Sequence, residues 1–486
     1  MKISNFLDIK SLLLKNNNLK QTIFKNTFWL SLSEGATKIL KLFLMIYVVR
    51  ILGVTEYGKF TFALSFVSML AVSTDLGISS LITREIAREK EKEEDFPFIL
   101  SLKLILSLIT LVLIVVGSFF LTPNNEIRKL ILVLGVYIAA NSFAATFYSF
   151  FRAKEKMEYE SFTKLFQSIV VTVVSLFILF NFPSVLNLSF SYLFASLGAF
   201  LLICLIFHSR INSIKFYFDV TKWKSILTLS IPIGLSEIFT VAYNTAGILM
   251  MGYYGQITQL GWYSASLRVT DVILVIIFLI STSFFPVLGR TYRKSKEELQ
   301  KVWNLYIKII ISLVVPLIVG GISLAPQIIY FVYDPSYTPS VLVLRILILF
   351  IGISFVSTPF SQILFIFNQQ KKIFRVALFG LILNVVLNLI FLPVYSLYGA
   401  AVSLMVTYFL MFLLLFRYLL KLTTIKPFNL ELILLLIGSI IASGLMLIIL
   451  RFAQIYNLHV LFDVIIGIIV YSIFLLGYQK IISKIL

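Results

Sequence analysis

Residues 22–58 read TIFKNTFWLSLSEGATKILKLFLMIYVVRILGVTEYG. An apolar run of this length crosses a bilayer as a helix, yet this one carries Glu34, Lys38 and Lys41 in its interior. At about 100° per residue the three charges share one narrow stripe with Thr27, Ser31 and Met45, while Leu40, Phe43 and Ile46 face elsewhere. With Phe24 at one end and about 1.5 Å per residue, Lys38 lies roughly 20 Å along the helix, near the bilayer midplane. A lipid-facing lysine there costs about 2.5 kcal/mol or far more, so the stripe must face protein, water or a charged substrate.

The rest of the chain agrees with a membrane setting. Mean hydropathy is +1.00, and of 486 residues 59% are hydrophobic and only 13% charged, against about 25% charged in soluble domains. The chain is therefore expected to be an all-α polytopic membrane protein. Cys204 is the only cysteine, which excludes an internal disulfide; with His208 and His459 as the only histidines, no zinc site and no Ser-His-Asp triad is credible, and no cofactor is implied. The formal charge of +19 is spread over alternate loops and does not form one basic patch, so it sets topology and does not indicate nucleic acid.

Runs of about 18 or more mostly apolar residues give fourteen spans: 24–52, 58–83, 98–121, 129–151, 162–181, 187–207, 226–252, 261–288, 303–325, 340–366, 373–394, 397–420, 430–451 and 460–482. Basic residues follow every second span: Arg84 and Arg88, then Arg152 and Lys154, Arg210 and Lys215, Arg290 and Arg293, Lys371 and Arg375, and Arg417 and Lys421. The opposite loops, such as 181–187 and 326–340, carry almost none, so both termini are expected on the cytoplasmic side of the plasma (inner) membrane. Residues 1–23 form a cytoplasmic segment with no apolar core of a cleavable signal. Phe6, Ile9, Leu13 and Leu14 suit either a surface-lying amphipathic helix or a solvated tail.

The sequence also repeats itself. Leu32-Ser33-Glu34 recurs as Leu235-Ser236-Glu237, and Gly58 recurs at the same offset as Gly261; Arg84 and Arg88 match Arg290 and Arg293 less strictly. Six spans separate the copies, so two like-oriented six-helix lobes in pseudo-two-fold arrangement are expected, at 24–207 and 226–420, with an added helix pair at 430–482.

Within the spans, the ionisable residues read as Glu34, Lys38, Lys41, Asp75, Glu237, Arg268, Asp271, Arg345 and Asp463, with spans three to six nearly charge-free. Such residues face a bundle interior or a watery cavity by default, so a central cavity between lobes would collect them; Asp463 is read as interfacial. Two readings stay open. Glu34 with Lys38 at i, i+4 and Arg268 with Asp271 at i, i+3 are each spaced as a self-neutralised helix pair. Alternatively the cations hold a phosphate or pyrophosphate and the carboxylates Glu34, Asp75, Glu237 and Asp271 take a coupling proton or sodium ion. Pro232, Pro286, Pro316 and Pro359 interrupt or end spans and are each positioned to kink a helix.

Two motifs carry a family resemblance: Arg50-Ile-Leu-Gly-Val-Thr-Glu-Tyr-Gly58 with Asp75-Leu-Gly77 and Arg84, and Asn384-Val-Val-Leu-Asn388 with Pro393 and Tyr398-Gly-Ala-Ala401. With the repeat and span count, the chain resembles the polysaccharide-export (O-antigen, Wzx-type) flippases of the multidrug/oligosaccharidyl-lipid/polysaccharide (MOP) superfamily. The resemblance implies transport, not bond-breaking. An undecaprenyl-diphosphate-linked oligosaccharide, such as an O-antigen repeat unit, would pass from the cytoplasmic to the outer face by alternating access, with Lys38, Lys41, Arg268 and Arg345 contacting the diphosphate. It also implies a groove for the polyprenyl tail on spans thirteen and fourteen, as in lipid II flippases. A cation-coupled multidrug exporter and a lipid II flippase are the alternatives within the superfamily. A membrane glycosyltransferase or polymerase would need a larger external loop than 326–340.

Overall fold

The computed structural model describes residues 19–455 and 459–482, and every regular element in that range is helical. The expected surface helix around Phe6, Ile9, Leu13 and Leu14 lies outside the described residues. Among the described residues, ten helices are long and apolar enough to cross a membrane, and an eleventh span is the bent pair Val220–Pro232 and Glu237–Tyr253. Gln370–Leu422 is two helices joined at Ser396, whose φ of 49° breaks the run, and Leu19–Asp75 is likewise two arms joined at Gly53 with φ 78°. Counting those arms separately gives the fourteen spans expected.

The helices are α1 (Leu19–Asp75), α2 (Ile78–Arg88), α3 (Phe96–Leu121), α4 (Asn125–Ala153), α5 (Met157–Asn181), α6 (Val185–Arg210), α7 (Val220–Tyr253), α8 (Ile257–Tyr292), α9 (Lys296–Val332), α10 (Pro339–Ile366), α11 (Gln370–Leu422), α12 (Leu430–Ile455) and α13 (Val460–Ile482). Their starts follow from the loops. Asn124 accepts hydrogen bonds from the backbone N–H groups of Glu126 and Ile127, Asp219 from Thr221 and Lys222, and Ser295 from Glu298, each satisfying donors that a first turn leaves orphaned. Pro339 opens α10, where its missing N–H costs nothing.

The chain divides into two compact units, Met1–Thr258 and Gln259–Leu486. In the first, α7 packs on the second arm of α1: a Cβ at Gly252 would meet the Phe62 ring. Gly53, after the first arm of α1, has φ 78°, and Gly255, after α7, has φ 72°, positive angles that glycine adopts without steric cost.

The second span was expected to run to residue 83 and stops at Asp75 instead. Leu76 (φ 44°) and Gly77 (φ 81°) turn the chain, and Ile78–Arg88 forms a separate amphipathic helix. Its buried Ile78, Leu81, Ile82 and Ile86 join an aromatic core made by Phe96, Phe147, Phe150 and Phe207, with the Phe96 and Phe207 rings 5.3 Å apart. Trp223 closes this end of the unit by donating its indole N–H to the Phe98 carbonyl at 3.1 Å.

In the second unit, the residues of the second motif are structural. Asn384 donates to Thr407 at 3.1 Å and Asn388 donates to the Asn384 carbonyl at 2.8 Å, all three side chains buried, so the arms of α11 are tied by amides that apolar surroundings strengthen. Pro232 lies at the 58° bend of α7, whereas Pro286, Pro316 and Pro359 remain inside continuous helices.

Candidate functional site

Glu34 does not pair with Lys38 as its spacing suggested. Its carboxylate takes the ammonium of Lys164 on α5 at 2.7 Å, and Lys164 also reaches Glu160 at 2.9 Å. Glu160 in turn receives two N–H bonds from Arg152 at the end of α4, the Nε one at 2.6 Å. Glu160 is wholly buried, which such a fork-to-carboxylate pair allows. One turn further along α1, Lys38 lies within electrostatic range of Glu34, and Lys41, exposed, continues the same stripe. Arg152 and Lys164 thus share Glu160, and Lys164 reaches Glu34 as well. At the base of the same arm, buried Lys25 bonds Glu158 at 3.0 Å and the Glu155 carbonyl at 3.2 Å, tying α1 to the turn between α4 and α5.

A second charged centre forms where α1 ends. Asp75 receives the ammonium of Lys103 on α3 at 2.6 Å and the hydroxyl of Ser79 at 2.6 Å. The Ser79 backbone N–H points at its other oxygen at 3.3 Å, so Asp75 also caps α2. Lys103 is fully buried and Asp75 23% exposed. Glu237 stands at the start of the straight part of α7, exposed and within electrostatic range of both. What brings it there is Gly234: a Cβ at that position would sit 2.4 Å from the Leu76 carbonyl carbon, so the bend of α7 closes directly on the Leu76-Gly77 turn.

Spans three to six were read as nearly charge-free, and this is corrected by Lys103 and Lys164, the direct partners of Asp75 and Glu34. A single charge among two dozen apolar residues leaves a hydropathy profile unchanged, so only the unpaired carboxylates on other helices signalled that such partners had to exist.

In the second unit, Arg268 and Asp271 bond each other at 3.1 Å on α8, both partly exposed, as their i, i+3 spacing allows. Arg345 on α10 is exposed and donates its Nε to the Ile322 carbonyl at 3.3 Å. Asp463, expected at the interface, does lie in the first turn of α13, but its side chain is buried.

The family model for polysaccharide biosynthesis proteins matches residues 23–292, more than half of the chain. The chain belongs to that family. A second model, MatE, matches residues 232–390. Among individual proteins, it is 22% identical over 400 residues to the capsular polysaccharide biosynthesis protein CapF of Staphylococcus aureus, covering 79% of this chain and 96% of that one. It is 24% identical over 413 residues to an uncharacterized membrane protein of Methanocaldococcus jannaschii, covering 81% and 96%.

Solved structures share the fold. The lipid II flippase MurJ in an inward closed conformation superposes with a TM-score of 0.78 at 20% identity, over 93% of this chain and 99% of that one. An inward-facing multidrug transporter of the MATE family superposes at 0.63 and 19% identity, over 80% and 95%. This polysaccharide biosynthesis family member is thus a multi-pass membrane protein with the fold of the MOP superfamily.

Proposed function

We propose that the protein is a flippase that carries a polyprenyl-diphosphate-linked oligosaccharide from the cytoplasmic to the outer face of the plasma membrane by alternating access. Both chain termini are then cytoplasmic, and no bond in the substrate is broken. Unaided, a diphosphate with its sugars pays a prohibitive desolvation cost in hydrocarbon, so the protein must offer a wet, charged path for the head while the tail stays in lipid. In this reading the two lobes are 24–207 and 226–420. Lys38, Lys41, Arg268 and Arg345 meet the diphosphate. Asp75 and Glu237, with Glu34 and Asp271, are the places for a coupling proton or sodium ion.

The observation that carries the proposal is the position of Lys38 and Lys41 on the polar stripe of α1, one and two turns beyond Glu34. Glu34 itself is bonded by Lys164 of α5. The family's role in polysaccharide biosynthesis, the capsular relative and the extent of the superposition on a lipid II flippase support a lipid-linked sugar as the cargo. In cells, Lys41→Ala and Arg268→Ala should accumulate lipid-linked oligosaccharide on the cytoplasmic side with drug sensitivity unchanged; normal surface polysaccharide in both variants contradicts the proposal. A cation-coupled drug exporter is the second reading, favoured by the MatE match over residues 232–390, and it requires the opposite outcome: altered drug sensitivity and intact polysaccharide.

A further inference from the structure

Arg345, Leu349, Ile353 and Val356 follow one another at spacings of four, four and three, so they lie on one face of α10. Below Arg345 that face forms the wall of a groove of about 450 Å³, whose other walls are Ile318 of α9 and Val406 and Phe409 of α11. Every lining side chain is apolar, and Leu349 and Phe409 are 38% and 46% exposed, so the groove is open along its length. Gly352 makes its floor narrow, since a Cβ there would meet Ile318 at 2.4 Å and the α9 and α10 backbones close up behind it.

The upper end of the groove is charged on purpose-built geometry. The Ile322 carbonyl that Arg345 bonds lies about one turn beyond Ile318 on α9, so the arginine bridges both helices about one turn above the apolar walls. Its two terminal amino groups have no partner among the described residues, which leaves the paired donors that suit a phosphate.

We infer that this groove holds the head-proximal isoprene units of a single-tailed polyprenyl phosphate, with the phosphate on Arg345 and the isoprenoid running toward Val356, about 16 Å away along the helix. The inference rests on the flippase reading above and places the tail on spans nine, ten and twelve instead of the terminal helix pair. A volume of about 450 Å³ takes one hydrocarbon strand of that length, and a diacyl phospholipid leaves its second chain outside. Under the proposed topology Arg345 lies toward the external end of its span, where a phosphate-headed lipid that has been delivered outward presents its head at that level.

Native mass spectrometry of the full-length protein with undecaprenyl phosphate, with and without dioleoylphosphatidylglycerol as competitor, tests the assignment. Ile353→Trp and Val406→Trp fill the groove from two different helices, and Arg345→Gln removes the charge at an exposed site that does not endanger folding. Each is expected to lower retention of undecaprenyl phosphate by about tenfold or more, while Arg345→Gln leaves retention of the uncharged polyprenol intact. Retention unchanged in Arg345→Gln and in whichever tryptophan variants keep the wild-type unfolding temperature overturns the inference, and so does displacement by equimolar phosphatidylglycerol. Flipping measured on the same preparations separates the two claims. Wild-type transport with groove-independent binding overturns the groove alone, and groove-dependent binding without any wild-type transport overturns the flippase reading alone.

Discussion

The ammonium of Lys103 lies 2.6 Å from the carboxylate of Asp75, 28 residues earlier in the chain, and no part of the Lys103 side chain is exposed. Removing one member of such a pair leaves the other charge in low dielectric with nothing to balance it. Lys103→Ala should therefore cost about 3 kcal/mol of stability, seen as a lower unfolding temperature in detergent. Asp75→Asn combined with Lys103→Met should recover most of the loss. An unfolding temperature unmoved by Lys103→Ala would show that the pair contributes nothing to the fold.

The link between α1 and α5 makes a separate prediction. Glu34 and Lys164 touch at 2.7 Å, so a double-mutant cycle of Glu34→Gln and Lys164→Met should give a coupling of about 1 kcal/mol or more. Glu34→Gln with Lys38→Met should couple more weakly, because Lys38 acts on Glu34 without the direct ion pair. Equal couplings would restore the self-neutralised pair that the i, i+4 spacing first suggested.

Gly234 is expected to tolerate no side chain. A Cβ would press on the Leu76 carbonyl carbon at 2.4 Å, and backbone cannot swing aside as a flexible side chain does. Gly234→Ala should destabilise by about 1–3 kcal/mol and change the protease sensitivity of the turn at Leu76 and Gly77. Wild-type stability and cleavage would mean that the bend of α7 does not depend on this contact.

The buried amides of α11 give a fourth test. Asn384→Leu strips Thr407 and Asn388 of a partner at once and should cost about 1–3 kcal/mol, measured again by thermal unfolding. Asn384→Leu combined with Asn388→Leu and Thr407→Val should lose less than the three single effects together, since no polar atom is then left orphaned.

These residues also show what a sequence can display. Span positions, including the gaps at 53–57 and 395–396, are local facts written in hydropathy, and the helices follow them, with turns at Gly53 and Ser396. Lys103 and Lys164 escaped notice because their meaning depends on Asp75 and Glu34, which lie 28 and 130 residues away, and no periodicity reports a contact at that range. The α2 helix was absorbed into the second span for a related reason. Its residues are apolar enough to continue the span, and only Gly77 hinted that the backbone turns there before Ile78. The groove under Arg345 was invisible too, since its walls come from three helices and an arginine among apolar residues signals a cavity as readily as a lipid site.

The central claim is that the α1 stripe passes an anionic lipid headgroup across the bilayer. The direct measurement is the rate at which purified protein in proteoliposomes moves a fluorescent undecaprenyl-diphosphate-linked oligosaccharide between leaflets, for wild type and for Lys38→Ala with Lys41→Ala. The account predicts transport by the wild type and a fall of about tenfold or more in the double variant, with its unfolding temperature retained. Transport at the wild-type rate after both lysines are removed would contradict it.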